Sequence, residues 1–183
     1  MRVTDPRAMR ALAHPLRLDL IEALTVLGPA TAAACARHLG STQALCSFHL
    51  RQLAKYGFVE QAADSGDRRE RPWRLTDIEQ SWGHENAEHL DRVFLQREAD
   101  KMLSWVDRSK TEPDTWRQAA FAGGATLPVT ADELADIATQ LRAVLAPYVD
   151  RLTDHERRPA GARSVRIMLA GTPQHPLEER DDA

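Results

Sequence analysis

Residues 30–60, ATAAACARHLGSTQALCSFHLRQLAKYGFVE, constrain the fold more than any other part of the chain. They read as a short small-residue helix from Thr31 to Leu39, a turn at Gly40 and a second, amphipathic helix that runs straight on into a strand. Ser41 or Thr42 is placed to cap the second helix, because either hydroxyl can accept a hydrogen bond from an otherwise unpaired backbone N–H. Leu45, Cys46, Leu50 and Leu53 recur at helical spacing, which predicts a buried stripe. Thr42, Gln43, Ala44, Ser47, Phe48, Arg51 and Lys55 lie toward the other face. Their hydroxyl, amide and guanidinium groups suit base edges or phosphates, and their small apolar surfaces suit a thymine methyl group.

A polar helix face taken alone is an ordinary solvated surface, so the segment that follows decides its meaning. Phe58 to Ala63 reads as a strand, Asp64-Ser65-Gly66-Asp67 supplies turn chemistry, and Arg71 to Thr76 forms the returning strand. Arg68, Arg69 and Arg71 make the tip basic, and Arg74 continues the pattern nearer the body. A basic hairpin directly after an exposed polar helix is placed to straddle a phosphate backbone or reach a minor groove. The predicted partner is double-stranded DNA, met by Thr42, Gln43, Ala44, Ser47, Phe48, Arg51, Lys55, Arg68, Arg69 and Arg71. Upstream, Asp5-Pro6 and His14-Pro15 open two further helices, the second with Leu16, Leu20, Ile21 and Leu24 as its apolar stripe and Gly28-Pro29 as its end.

These residues carry a family resemblance. Met9 to Thr76 resembles the winged helix-turn-helix domain of ArsR-type bacterial transcriptional regulators: ALAHPLRLDLIEAL (Ala11 to Leu24) is similar to the family's opening helices, and SFHLRQLAKYGFVE (Ser47 to Glu60) to its recognition helix and the start of its wing. The resemblance implies a homodimer that binds a partly palindromic operator and blocks or modulates transcription. In the family pattern Gln43, Ala44, Ser47, Phe48 and Arg51 occupy the DNA-facing positions. A polar residue is commoner at the place of Ala44, and histidine or glutamine at that of Phe48.

Charge divides the chain in the same sense. Residues 1–76 hold 11 Lys and Arg against 7 Asp and Glu, a net of +4, whereas residues 77–183 hold 13 against 20, a net of −7. An acidic remainder is repelled from phosphate and is expected to serve dimerisation or sensing. No apolar run approaches the roughly 20 residues needed to cross a membrane, and the N-terminus has no signal-peptide pattern, so a cytoplasmic protein with no membrane partner is expected. Arginine outnumbers lysine 21 to 3, a bias consistent with a GC-rich bacterial genome.

Beyond the wing, Asp77 is read as the cap of a long helix to about Arg108, with Trp82, Leu90, Val93, Phe94 and Met102 as its dimer-forming residues. Residues 111–114 read as a linker. Trp116 to Phe121, Gly123-Gly124 and Thr126 to Val129 read as a hairpin. Thr130-Ala-Asp-Glu133 is a capping box opening a helix through Leu134, Ile137, Leu141, Leu145 and Leu152, which Pro147 should kink or divide. Ser164 to Ala170 reads as a strand and the tail from Thr172 as disordered. The expected fold is therefore mainly α with a β-hairpin wing. A winged helix-turn-helix domain (1–76) precedes a long linking helix (77–110), a small α+β effector or assembly module (111–171) and a tail (172–183).

No catalytic site or cofactor is expected, since the chain has no Gly-rich phosphate loop, Gly-x-Ser-x-Gly, His-Glu-x-x-His or Cys-x-x-Cys. Metal sensing is the alternative within the same fold. A thiolate site needs clustered cysteines, and the chain has two, Cys35 and Cys46, which read as buried structural residues, with a redox role as the minor alternative. His84, Glu85, Glu88 and His89 put acid and imidazole four apart on one helical face, but the family's paired-helix metal pattern is absent, so no metal site is assigned. A winged domain used only for protein contact is the third reading. Any effector is expected to be an organic molecule or a protein, with Trp82, Phe94, Trp105, Trp116, Phe121 and Tyr148 either lining an apolar cleft or, the favoured reading, filling the core.

Overall fold

In a computed structural model the chain forms two units, residues 1–120 and 121–183. The structure describes residues 1–62, 71–78, 81–83 and 87–174. The fold is mainly helical with two small sheets.

The first unit begins with β1 (Arg2–Val3), α1 (Pro6–Leu12) and α2 (Pro15–Leu27). The Asp5 carboxylate accepts from the Arg7 N–H and caps α1, and the His14 ring Nδ1 accepts from the Leu16 N–H and caps α2. Each cap is followed by a proline at the first helical position, where a missing N–H costs nothing. Gly28, at φ 72°, ends α2. Thr31 caps α3 (Ala32–Leu39), Gly40 turns the chain at φ 62°, and Thr42, not Ser41, caps α4 (Gln43–Lys55) through its hydroxyl on the Leu45 N–H. The left-handed conformation at Gly40 suits a residue without a Cβ.

The core of this unit is where α2, α3 and α4 meet. Leu20, Ala23 and Leu24, Cys35 and Ala36, and Cys46, Leu50 and Leu53 are buried together with Phe58 and Val59. The buried row of α4 is Cys46, His49, Leu50 and Leu53. This corrects the expected stripe at Leu45, which is 45% exposed. Counting 100° per residue, Leu45 stands about 90° from the centre of that row. The fourth inward place is taken by His49, whose ring lies 4.4 Å from that of His14 and accepts a 3.2 Å hydrogen bond from Arg17 Nε.

After Gly57, β2 (Val59–Gln61) pairs antiparallel with β3 (Trp73–Leu75) in the register Val59–Leu75, Glu60–Arg74 and Gln61–Trp73. Ala30 adds a one-residue bridge on the other side of β3, with Ala30 N–H to Trp73 O at 2.9 Å and the reciprocal bond at 2.7 Å. These two bonds tie the base of the wing to the α2–α3 connection. The hairpin tip, with Asp64 to Asp67, Arg68 and Arg69, lies outside the described residues.

The long helix is shorter than expected. Instead of starting near Asp77, the chain forms β4 (Ser81–Trp82), parallel to β1, and only then α5 (Glu88–Arg108). Residues 83–87 lie between the two, and the Trp82 indole donates to Asp91 in the first turn of α5. Neither two-residue strand has enough alternation to be recognised from sequence.

One face of α5 packs on α1 and α2. Leu90 is fully buried, Val93 and Phe94 are half-buried against the same core, and Phe94 meets Trp82 edge-on at 5.5 Å. Leu90 thus belongs to its own chain's core and has no surface left for a dimer partner. Further along this face, Arg97 is buried among carboxylates: Nε lies 2.8 Å from Asp19, Nη1 2.6 Å from Glu98, and Nη2 bonds Glu22, which also takes Lys101. The opposite face of α5 exposes Leu95, Met102, Leu103 and Val106.

The expected hairpin from Trp116 does not form. Residues 116–119 belong to α6 (Asp114–Ala119), where Asp114 stands in the first turn and pairs with Arg117 one turn on. Pro113 ahead of the helix, Asp114 in its first turn and, after Thr115, a run Trp116–Ala119 without β-branched residues favour helix over strand. In the second unit α7 (Ala131–Thr153) opens on the expected capping box: the Thr130 hydroxyl accepts from the Glu133 N–H and Glu133 accepts from the Thr130 N–H at 2.7 Å. Pro147 lies inside α7 without dividing it. Residues 126–129 and 164–170, expected as strands, are in no strand, and none of the described residues of this unit is buried. The extended return brings Gly171 back against Leu134 near the start of α7, where an added Cβ would stand 3.2 Å from the leucine methyl.

Candidate nucleic-acid interface

The four buried positions of α4 fix which way the rest of the helix looks. With 100° per residue, Ala44, Phe48, Arg51 and Lys55 point directly away from the core, Gln43 and Ser47 flank them on one side, and Leu45 and Gln52 on the other. Thr42, Gln43, Ala44, Phe48, Arg51 and Lys55 are exposed and Ser47 is half-buried. Lys55 lies over the Tyr56 ring at 5.8 Å, so its stem follows the surface.

Gln43, Ser47 and Arg51 line an open cleft whose other walls are Thr31 and Ala32 at the start of α3 and Gln61, Arg71 and Trp73 of the wing. Helix and wing residues that the sequence placed on one surface, Gln43, Ser47, Arg51 and Arg71, therefore do meet there. Sequence reasoning missed Thr31, Gln61 and Trp73. The Ala30 bridge that draws Trp73 over α3 has no signature in the sequence. Gln61 shares the strand face of Val59, two residues before it and buried, and that alternation was present in the sequence.

Electrostatically the cleft is cationic. Among the described residues no ion pair engages Arg51 or Arg71, whereas Arg74 is held across the hairpin by Glu60 at 2.6 Å. That pair withdraws Arg74 from the basic series. An unpaired guanidinium in water keeps its five donors for a phosphate or a guanine edge.

The thiols behind this surface are chemically quiet. Cys35 and Cys46 are buried and free, and burial, followed by the neighbouring Cys46, pushes the Cys35 thiol up to about 11. Burial also raises Cys46, against a hydrogen bond from Ser41. At neutral pH both are protonated, the wrong form for a metal ligand or a nucleophile. Among the described residues no group of three or more His, Cys, Asp or Glu is arranged to hold a metal ion; His84 and Glu85 lie outside them.

His14 and His49 form a titratable joint between the α2 cap and the buried row of α4. Burial lowers both, and the Arg17 guanidinium lowers both further, with His14 adding to the effect on His49 and Asp19 opposing it at His14. The folded state therefore prefers the neutral rings. Below about 6.5 the unfolded chain takes up protons that the folded one refuses. Stability present at pH 7.5 is thus lost as pH falls from 6.5 through the depressed folded values. Thermal midpoints between pH 7.5 and 5 should show this loss, and His49→Gln should reduce its slope; an unchanged slope would remove His49 from the titration.

Comparison with known proteins accords with this geometry. Residues 12–62 match the model of a helix-turn-helix domain family. No curated protein matches the chain. Among solved structures, the chain is similar to the homodimeric winged helix-turn-helix DNA-binding domain of Mb0332 from Mycobacterium bovis, at 25% identity over 53% of this chain and 79% of that one, with a TM-score of 0.34. It is also similar to the PcaV transcriptional regulator from Streptomyces coelicolor, at 17% identity, 72% and 73% coverage and a TM-score of 0.34. MarR from E. coli is similar at 18% identity, 76% and 87% coverage and a TM-score of 0.33. The chain thus contains a helix-turn-helix domain, carried by α2 to α4 and continued by the wing.

Proposed function

We propose that this protein is a sequence-specific DNA-binding transcriptional regulator of the ArsR-like winged helix-turn-helix kind, acting in the cytoplasm as a homodimeric repressor at a partly palindromic operator. The observation that carries the reading is the shared cleft: Gln43, Ser47 and Arg51 of α4 face the same space as Gln61 and Arg71 of the wing. A helix with its polar groups pointing outward reads base edges in a major groove, and a cationic wing beside it holds the flanking phosphates. Dimerisation is assigned to the exposed row Leu95, Met102, Leu103 and Val106 of α5, in place of the inward residues Trp82, Leu90, Val93 and Phe94. Met102 alone is common to both sets. The second unit is the place for an organic or protein effector, because Phe121 and Tyr148 stand exposed there and do not fill a core.

The test uses the full chain and a duplex selected by it from random sequence. Arg51→Ala should cost about 1–3 kcal/mol on the selected duplex and little on others. Arg71→Ala should weaken all duplexes alike and reduce the log–log salt slope by about 1, with Arg68 and Arg69 behaving likewise. Unchanged affinity in both variants would move the DNA surface elsewhere.

A further inference from the structure

The recognition helix carries an apolar feature that its polar contacts do not account for. Phe48, at the point of α4 farthest from the core, is 47% exposed, and Leu45, one turn before it on the adjoining flank, is 45% exposed. With Ala44 they make a continuous apolar strip along the N-terminal half of the helix, beside the polar row Gln43, Ser47 and Arg51. Phe48 stands edge-on to the buried His49 ring, centroids 5.1 Å apart at 83°. His49 is in turn fixed by Arg17 and His14. An aromatic ring held out from the apex of a helix whose neighbours are DNA-reading groups needs an apolar partner in the groove. The major groove offers one on the base edges, the C5 methyl of thymine.

We infer that Leu45 and Phe48 read thymine methyl groups, so that each half-site of the operator contains thymine opposite the N-terminal half of α4. This deepens the DNA-binding reading and rests on it. The patch supplies discrimination that Arg51 and Gln43 cannot, because a methyl group offers no hydrogen bond.

Deoxyuridine substitution tests it directly, since uracil differs from thymine only by that methyl. On the duplex selected by the full chain, replacing thymines one at a time should lower affinity about three- to fivefold per methyl at one or two positions in each half-site. In the Leu45→Ala, Phe48→Ala variant the thymine and uracil duplexes should bind equally, while Phe48→Leu keeps part of the difference. Thermal midpoints of these variants, at exposed positions, should stay near that of the parent. Uracil duplexes that bind the parent normally, with Arg51→Ala still damaging, would overturn the methyl reading and leave the DNA reading standing. A uracil effect that persists in the double variant would assign the methyl to other residues. A variant whose oligomeric state changes without DNA, with no change in methyl sensitivity, would make the strip a protein contact. If selection from random sequence yields no preferred duplex, both readings fail.

Discussion

Replacing Arg97 with methionine is expected to destabilise the first unit by about 3–5 kcal/mol, because it leaves the buried carboxylate of Glu98, and the half-buried Asp19 and Glu22, without this cation. Arg97 is 7% exposed, and Glu98, one of its three acidic partners, is 0% exposed. Methionine fills much of the same volume, so the cost arises from charge rather than from a cavity. Arg97 also joins α5 to α2 through Asp19 and Glu22, and the loss should therefore loosen the docking of the whole helix. Domains of this size are stable by only about 5–15 kcal/mol. Urea midpoints should fall sharply for Arg97→Met and less for Arg97→Lys, which keeps the charge but loses the planar fork. Burial raises the Glu22 carboxyl, yet its hydrogen bonds to Lys101 and Arg97 outweigh that and hold it below its usual value. This part of the stability is present above about 4.5 and lost as pH falls through the depressed folded value. A cost under about 1 kcal/mol for Arg97→Met would mean that the cluster is solvated in the folded protein.

The second large effect concerns assembly. Leu103→Glu with Val106→Glu places two charges in the exposed row of α5 while leaving the inward row of Leu90, Phe94 and Arg97 untouched. If that row joins two copies, sedimentation should report a monomer with a near-normal thermal midpoint. Affinity for a two-half-site operator should fall by about 10²–10⁴, because the second domain no longer binds at the high effective concentration set by the first. A dimer that persists with full operator affinity would place the interface elsewhere.

The helices of the first unit were legible because their ends carry explicit chemistry. Asp5-Pro6, His14-Pro15, Thr31, Gly40 and Thr42 each supply a cap, a fixed φ or a left-handed turn, and each element begins or ends there. The β2–β3 hairpin was legible from alternation. Leu45 was misplaced because apolarity was taken as burial, while His49, polar by type, took the inward place by pairing with Arg17 and His14. The start of α5 was misjudged because two two-residue strands, β1 and β4, are defined only by each other across 78 residues of chain. The row proposed for the dimer differs from the one expected from sequence for a related reason. α5 has two apolar rows, and sequence periodicity alone does not say which one its own chain covers. In the second unit, alternating Thr, Val and Ile suggested strands, but a strand needs a neighbour to hydrogen-bond, and among the described residues none is provided.

Competition between duplexes decides whether α4 and the wing together read DNA sequence. The full chain is titrated at fixed salt onto the duplex it selects from random sequence, against a scrambled duplex of the same composition. A preference of about 10³-fold or more is expected, reduced by Arg51→Ala toward the non-specific level. Equal affinity for the two duplexes, or a preference indifferent to Arg51, would contradict it.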